Sequence, residues 1–349
     1  GTRSISCTGK ATITNMGAEL GATTSMFPYD ERMEVYLRVT RRGEIADLAN
    51  DNQALLTPDE DVETNPEKYF DTVVEIDLSK LEPHVVGPHS PDRARPISAL
   101  AAEVAEGSNG FDDKIDTSLI GSCTNSSYED MSRAADVAEQ GRAHGIAAAE
   151  TLMVTPGSER IRATIERDGQ LDSLKAINGV VLANACGPCI GQWKREKALD
   201  GVPNTIVTSY NRNFPRRNDG RSETMNFIAS PEIVVAMSLA GRLSFNPLTD
   251  SITAQDGSSF VLEAPAKAPD VPANGFEAGG SAYAAPPEDG SGIEIAIDPN
   301  SERLEALEPW EAWDGDWSAR NHVTGINSRL KTEHGGKRRY HHTHQDLQT

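Results

Sequence analysis

The chain has 349 residues, a length typical of two or three domains, and 37% of its residues are apolar. No apolar run approaches the roughly 20 residues of a membrane-spanning helix, and the first residues lack the pattern of a signal peptide. The formal net charge of −20 argues against sequence-independent binding of nucleic acid. We therefore expect a soluble protein without a membrane partner. An acidic substrate would have to be bound by locally concentrated arginines.

The first third of the chain is mixed in character. Residues 1–30 are rich in Gly, Thr and Ser, which let backbones or ligands approach closely. The apolar spacing over residues 31–50 predicts a helix. Alternation over residues 73–78 predicts a half-buried strand. Four prolines within residues 83–96 then indicate a domain boundary.

From residue 115 to about residue 240 the pattern repeats as strand, turn and helix, which predicts an α/β domain with a parallel or mixed sheet. Ligands of such sheets bind beyond the carboxyl ends of the strands. We predict strands over 115–120, 152–154, 180–182 and 205–207, and helices over 127–143, 158–169 and 231–243.

The end of the chain differs from everything before it. Residues 265–300 are dense in Pro, Gly, Ala and Ser, as in a linker. Residues 317–349 hold six Lys or Arg, two acidic residues and five of the eight His. We interpret this basic tail as disordered and as the product of a frame shift or a mis-joined gene model. The divisions we predict are 1–85, 86–268, 269–316 and 317–349, of which 86–268 carries the cysteine motifs and 269–316 is the linker.

Four cysteines in so long a chain do not make a disulfide framework. Cys123 follows one predicted strand, and Cys186 and Cys189 follow another within Cys-Gly-Pro-Cys. Thiolates suit iron–sulfur clusters or zinc. Three thiolates would leave one cluster iron open as a Lewis acid that helps a hydroxyl group to leave. A thioredoxin-like redox pair, a structural zinc site and inert core cysteines are the alternatives.

The segment from Ser209 to Asp219 follows the last predicted parallel strand and holds three arginines within six residues. Arginine forks bind carboxylates through two hydrogen bonds, so Arg212 and Arg217 suit a substrate with several carboxylates. The alternative is a solvated basic loop, or arginines paired with Asp219.

Two polar residues stand out in the small-residue segment near the start of the chain. The Glu19 carboxylate, with Asn15 beside it, suits a hydrogen bond to water or hydroxyl on an open iron. A polar pair at the start of a helix is the simpler interpretation of their spacing.

Together these motifs resemble the aconitase family, in particular its mitochondrial and bacterial type. The resemblance covers residues 1 to about 316, and its cysteine motifs are highly specific. The matching segments are Ser6 to Glu19, Gly121 to Asn125, Ala185 to Gly191, Ser209 to Asp219, and Leu307 to Gly315.

The resemblance implies an aconitase-like fold of three-layer α/β/α domains with mixed or parallel sheets, followed by a linker. It also implies a hydro-lyase, aconitate hydratase, that isomerises citrate and isocitrate through cis-aconitate in the tricarboxylic acid cycle. By matching motif, Cys123, Cys186 and Cys189 ligate a [4Fe–4S] cluster, and Cys7 is a structural thiol.

The same resemblance assigns the substrate pocket. Arg212 and Arg217 bind substrate carboxylates, and Asn211 lies in the same pocket. Asn15 and Glu19 support the cluster and its bound hydroxyl as the catalytic pair. The partners implied are small tricarboxylic acids, and the complete protein is expected to be a monomer in the bacterial cytoplasm or, alternatively, the mitochondrial matrix.

The sequence departs from the family in two ways. The family's first domain, with its His-containing motifs, should precede Gly1, and a swivelling domain with the serine base should follow Gly315. We therefore expect an isolated fragment that is inactive for want of acid and base groups. Alternatives are a related hydro-lyase acting on homocitrate, methylcitrate or isopropylmalate, a non-functional truncated product, and an RNA-binding regulator in the cluster-free form.

Overall fold

The computed structural model describes most of the chain up to residue 278, and these residues lie within one compact unit spanning Gly1–Gly280. Over the part described, no helix is long and apolar enough to cross a bilayer. Most of the predicted linker and the whole basic tail lie outside the described residues, so their predicted structure stays a prediction. The described ranges are 2–107, 110–184, 187–195, 200–254 and 256–278.

A seven-stranded mixed sheet organises the fold, in the strand order β2-β1-β7-β6-β3-β4-β5. Strands β7, β6, β3, β4 and β5 are parallel, whereas β1 pairs antiparallel with both β7 and the edge strand β2. The predicted α/β class with a mixed sheet is confirmed. The strands are β1 (His84–Val86), β2 (Ala94–Pro96), β3 (Thr117–Ile120), β4 (Thr151–Val154), β5 (Gly179–Val181), β6 (Asn204–Thr208) and β7 (Thr224–Ile228), with a separate antiparallel hairpin of β8 (Ser251–Thr253) and β9 (Ser259–Val261).

Helices connect the strands and cover the sheet. All residues of β3 and β6 are buried, as expected for central parallel strands that are covered on both faces. The core includes Leu152, Val207 and Phe227, all fully buried. The α-helices are α1 (Cys7–Glu19), α2 (Glu31–Val39), α3 (Gly43–Asp51), α4 (Glu60–Thr64), α5 (Ile97–Glu106), α6 (Tyr128–Ala143), α7 (Glu159–Arg167), α8 (Gln170–Ala176) and α9 (Pro231–Ala240).

The three predicted helices of the α/β domain are confirmed as α6, α7 and α9. The residues at their ends explain where α6 begins and where α9 begins and ends. Helix α6 begins with a capping box, in which Ser127 and Asp130 satisfy each other's backbone N–H groups. Helix α9 has Pro231 in its first turn, where no N–H is needed. It ends at Gly241, whose left-handed φ of 71° closes the helix without a Cβ penalty.

Two predictions for the first third of the chain are wrong. The helix expected over residues 31–50 is two helices, because Arg41 takes a left-handed φ of 64° and breaks the turn between α2 and α3. Residues 73–78 form no strand, and Val74 is 76% exposed. Alternation alone does not make a strand when no neighbouring backbone pairs with it.

The proline-rich segment contributes two strands to the main sheet. Residues 84–96 supply the edge strand β2 and its antiparallel neighbour β1, so the segment belongs to the sheet that carries the cysteine loops. Proline at a strand end or edge is tolerated there because its missing N–H is not needed for a ladder bond. The boundary near residue 86 stays a prediction.

Residues 263–277 form a strap that crosses the helices. Arg32 on α2 makes two hydrogen bonds to the Asp270 carboxylate, at 2.6 and 2.5 Å. The ring of Phe276 meets the rings of Tyr36 and Tyr128 edge to face. The strap therefore joins α2 to α6, and the start of the predicted linker is ordered.

Candidate active site

The candidate site lies at the edge of the sheet where the parallel strands β3, β5 and β6 end. The first cysteine loop (residues 121–126) follows β3, and the arginine loop (residues 209–219) follows β6. The second cysteine loop (described from residue 187 to 195) follows β5. Because the strands are parallel, their carboxyl ends share one edge, and the loops meet there.

The first cysteine loop is held by its backbone. Gly121 has a φ of +86°, and a Cβ at this position would lie 1.8 Å from the Thr155 carbonyl oxygen, so only glycine fits. The Gly121 N–H donates to Ser209 Oγ at 2.8 Å. Asn125 Nδ2 donates to the Ser209 carbonyl at 2.7 Å. These bonds join the first cysteine loop to the arginine loop.

Helix α1 brings Asn15 and Glu19 to the same edge. The two residues are four apart in the helix, so they share one face. Lys10, 2% exposed, is paired with Asp30, which also caps α2. Thr12 Oγ1 donates to the Thr124 carbonyl at 3.1 Å. Helix α1 is thus fixed to α2 at one point and to the first cysteine loop at another.

A network of side-chain hydrogen bonds around Asn211 joins helix α1, the first cysteine loop and the arginine loop. Its Nδ2 donates to Asn15 Oδ1 at 2.8 Å and lies 3.4 Å from both Glu19 Oε1 and Thr124 Oγ1. The Thr124 hydroxyl donates to Asn15 Oδ1 at 3.2 Å. We call Asn15, Glu19, Thr124 and Asn211 the amide network. It orders Asn15 and Asn211 from two sides.

Two thiols border the amide network. Cys123 Sγ lies 3.7 Å from Thr124 Oγ1, and Cys189 Sγ donates to Asn211 Oδ1 at 3.9 Å. Cys123 is exposed, Cys189 is 9% exposed, and neither forms a disulfide. Cys186 lies outside the described residues. Within the described ranges, no group of three or more His, Cys, Asp or Glu is placed to hold a metal ion.

The arginine loop adds two positive charges beside one carboxylate. Arg212 Nε contacts Glu19 Oε2, and the Arg212 side chain is 46% exposed. Burial, and then the like charge of Arg217, lower the pKa of Arg212. The Arg217 guanidinium lies over the Phe214 ring, and its Nε is buried with no hydrogen-bond partner among the described residues. This surplus of positive charge suits an anionic ligand.

The arginine loop is also bound to the second cysteine loop. Asn218, 3% exposed, donates from Nδ2 to the Pro188 carbonyl at 3.1 Å, next to Cys189. The fully buried Asp219 carboxylate pairs with Arg195 at 3.3 Å and with Arg221 at 3.6 Å. Asp219, the alternative partner considered for Arg212 and Arg217, is therefore paired with Arg195 and Arg221 instead.

Comparison with known proteins decides the family. The family model of the aconitases, described as aconitate hydratase, matches residues 1–241. This chain belongs to the aconitase family. A mitochondrial aconitate hydratase of Arthroderma benhamiae is 52% identical over 315 residues, covering 90% of this chain and 40% of the relative. One of Emericella nidulans is 50% identical over 333 residues, covering 95% of this chain and 41% of the relative.

The chain spans about 40% of the length of these aconitase relatives. The Emericella match leaves 5% of the 349 residues uncovered, which is about 17 residues. The basic tail, residues 317–349, has 33 residues, so the match includes part of that tail. Among solved structures, an aconitase X of Thermococcus kodakaraensis matches 31% of this chain and 25% of its own chain, at 23% identity and a TM-score of 0.22. Such a score carries no argument about the fold.

Most of the residues singled out from the sequence come together in this aconitase-family chain. Asn15, Glu19, Asn211, Arg212 and the thiols of Cys123 and Cys189 are joined by the contacts above, and Arg217 lies in the same loop as Arg212. Asn15 and Glu19 lie in the second half of α1, so they are not a polar pair at a helix start. Cys7 is half-buried at the start of α1, and burial raises the pKa of its thiol. The roles of these residues stay predictions.

Sequence reasoning missed the residues that hold these groups in place. Thr124 is central to the amide network, and Asn218 binds the second cysteine loop. The available signal was position, since Thr124 follows Cys123 directly and Asn218 follows Arg217. Partners distant in sequence, such as Thr12 and Thr124, leave no mark on a single sequence.

Proposed function

We propose that, in its intact protein, this chain supplies the cluster ligands and part of the substrate pocket of an aconitate hydratase, which interconverts citrate and isocitrate through cis-aconitate. One observation carries the proposal. The amide network joins the thiols of Cys123 and Cys189, a carboxylate and the arginine loop at one edge of the sheet. Family membership supports the same activity.

The cofactor we propose is a [4Fe–4S] cluster held by Cys123, Cys186 and Cys189. The donor chemistry fits, because Cys123 and Cys189 both lie outside any disulfide and border the same amide network, and soft thiolates suit such clusters. When bound through three thiolates, the cluster supplies a Lewis acid at its open iron. Asn211 would orient Cys189 through its amide oxygen, and Thr124 would lie beside the sulfur of Cys123.

The arginine loop binds the substrate in this proposal. Arg212 and Arg217 offer planar guanidinium groups that pair with carboxylates through two hydrogen bonds each. Glu19 contacts Arg212, so a substrate carboxylate must share or replace that contact. Asn15 has its amide oxygen occupied by Asn211 and Thr124, which leaves its NH₂ group to donate to a substrate or to hydroxyl.

Several finer points belong to the proposal as well. The substrate class is small tricarboxylic acids, and nucleic acid is not a proposed partner because of the −20 charge. The names of the two relatives place them in mitochondria, which favours the mitochondrial matrix over the cytoplasm. Homocitrate or methylcitrate would use the same arginine pair, so kinetics with each acid on the intact protein must choose among them.

Anaerobic reconstitution of the chain with iron and sulfide tests the proposal. We expect a broad absorbance near 400 nm from sulfur-to-iron charge transfer. Replacing Cys123, Cys186 or Cys189 by Ser should abolish it, since each change removes a soft ligand. Cys7→Ser is the matched control, because Cys7 likewise forms no disulfide. Full absorbance in Cys189→Ser, or zinc bound in place of iron, would refute the cluster assignment.

A further inference from the structure

The arginine loop and the second cysteine loop meet at three points. Asn218 Nδ2 donates to the Pro188 carbonyl at 3.1 Å. Asp219 pairs with Arg195 at 3.3 Å. A Cβ on Gly191 would lie 3.3 Å from the Arg217 carbonyl oxygen, so the two backbones approach closely. Each point lies within six residues of both Arg217 and Cys189.

Asn218 is the direct link between the two functional groups. It follows Arg217, and the carbonyl that it binds precedes Cys189. Its side chain is 3% exposed, so water cannot readily replace the bond if it is lost. A movement of either loop therefore breaks a buried hydrogen bond unless the other loop follows.

Asp219 makes the same link through charge. Its side chain is fully buried and accepts hydrogen bonds from Thr224 Oγ1 at 2.7 Å and from the Arg221 N–H at 3.0 Å. Breaking a buried ion pair leaves an uncompensated charge, so Arg195 stays with Asp219. The Arg195 guanidinium also lies over the Trp193 ring, which extends the contact into the second cysteine loop.

We infer that Asn218 is a positioning residue that couples the placement of the Arg217 guanidinium to the placement of the Cys189 thiol. The ligand groups and the substrate-binding group then form one rigid unit rather than two independent loops. The use of this unit in catalysis depends on the function proposed above, but the coupling itself is a property of this chain and can be measured without a cofactor.

The test measures two local reactivities in the metal-free 349-residue chain. Iodoacetamide alkylates Cys189, phenylglyoxal modifies Arg217, and peptide mass spectrometry follows both rates, with Cys123 as the internal reference. Asn218→Asp keeps the shape of the side chain and removes the donor. We expect both rates to rise together by about tenfold, the change expected when local opening loses one hydrogen bond. Alkylation of Cys123 should not change.

Asn213→Asp is the matched control. Asn213 lies in the same loop, is also 3% exposed and also donates from Nδ2 to backbone carbonyls, but those carbonyls belong to Val86 and Asn226. It should lower stability to urea as much as Asn218→Asp while leaving Cys189 alkylation unchanged. Equal effects of the two variants on Cys189 would overturn the inference.

A second pair of variants covers the case in which Asn218→Asp fails to fold. Gly191→Ala places a methyl group against the Arg217 carbonyl oxygen. Gly220→Ala is its control, because Gly220 has a φ of +80°, close to the +81° of Gly191, and open space around it. Gly191→Ala alone should raise both local rates. If it does not, the loops are not coupled, whatever the cofactor. If both rates rise but the wild-type chain takes up no iron and sulfide, the coupling stands and the proposed function fails.

Discussion

Asn211 Nδ2 donates to Asn15 Oδ1 at 2.8 Å, across 196 residues of sequence. The bond joins the helix that carries Glu19 to the loop that carries Arg212. It also leaves Asn211 Oδ1 facing the Cys189 thiol. The side-chain amide of Asn211 therefore fixes the positions of helix α1, the arginine loop and the Cys189 thiol relative to one another.

The first prediction concerns the arginine fork. In the intact protein, Arg217→Lys should weaken tricarboxylate binding by about 1.5–3 kcal/mol, because a lysine cannot form two parallel hydrogen bonds with a carboxylate. Arg212→Lys should act in the same way. Steady-state kinetics with citrate measure the change as an increase in KM.

Arg216→Lys is the control for this prediction. Arg216 is exposed and adjacent in sequence, and it has a left-handed φ of 68° that a lysine must also adopt. The KM of Arg216→Lys for citrate should stay close to that of the wild type. A native KM in Arg217→Lys would show that the loop does not contact the substrate.

The second prediction concerns the Thr124 hydroxyl. Thr124→Val keeps the shape of the side chain and leaves Asn15 Oδ1 and Asn211 with one partner fewer, so it should cost about 1–3 kcal/mol of stability. Urea unfolding followed by circular dichroism gives the value. Thr124→Ser should restore most of it. Thr14→Val, which removes a bond within α1 itself, should cost less than Thr124→Val.

The third prediction concerns Gly121. Gly121→Ala should be far more destabilising than Gly169→Ala, although both have similar left-handed angles, +86° and +92°. The alanine at 121 would strike the Thr155 carbonyl, whereas the space around Gly169 is open. The conformational cost common to both is about 1 kcal/mol. Equal midpoints in urea would show that the loop relaxes around the added methyl group.

The fourth prediction concerns pH. Burial raises the pKa of Asp130 to about 6 from 3.8, against the hydrogen bonds from Ser127, which lower it. Since the folded chain holds this proton more tightly, the resulting stability is complete below about pH 4 and is lost as pH rises through 6. The shift corresponds to about 3 kcal/mol.

Asp130→Asn isolates this effect, because it removes the titration and keeps an acceptor for the helix cap. Urea unfolding of both proteins between pH 4 and pH 7 should show the variant gaining stability relative to the wild type as pH rises. A difference that does not change with pH would mean that Asp130 titrates near its ordinary value.

The strands and helices that the sequence predicted well have strong local signals. Ser127 caps α6, Pro231 starts α9, and the apolar runs of β3 and β6 are buried along their whole length. These signals act over a few residues, so they can be recognised in a single sequence. The placement of Cys123 and Arg212 at one sheet edge followed from the parallel order of the strands.

What sequence reasoning missed depends on distant partners. Val74 alternates with polar neighbours but finds no strand to pair with, and β1 was hidden by prolines that mark a sheet edge. The hydroxyl of Thr124 and the amide of Asn218 acquire their roles only when loops far apart in the chain meet. No local pattern encodes such meetings.

The strap has a consequence for the order of events during synthesis. The ion pair between Arg32 and Asp270 can form only after the ribosome has synthesised the 238 residues that separate them. At about 5–20 residues per second, the delay is about 10–50 s. Until then α2 has no strap across it, and the aromatic contacts of Tyr36 and Tyr128 with Phe276 cannot form. The two tyrosine rings therefore gain their contacts with Phe276 only well after the first helices have left the ribosome.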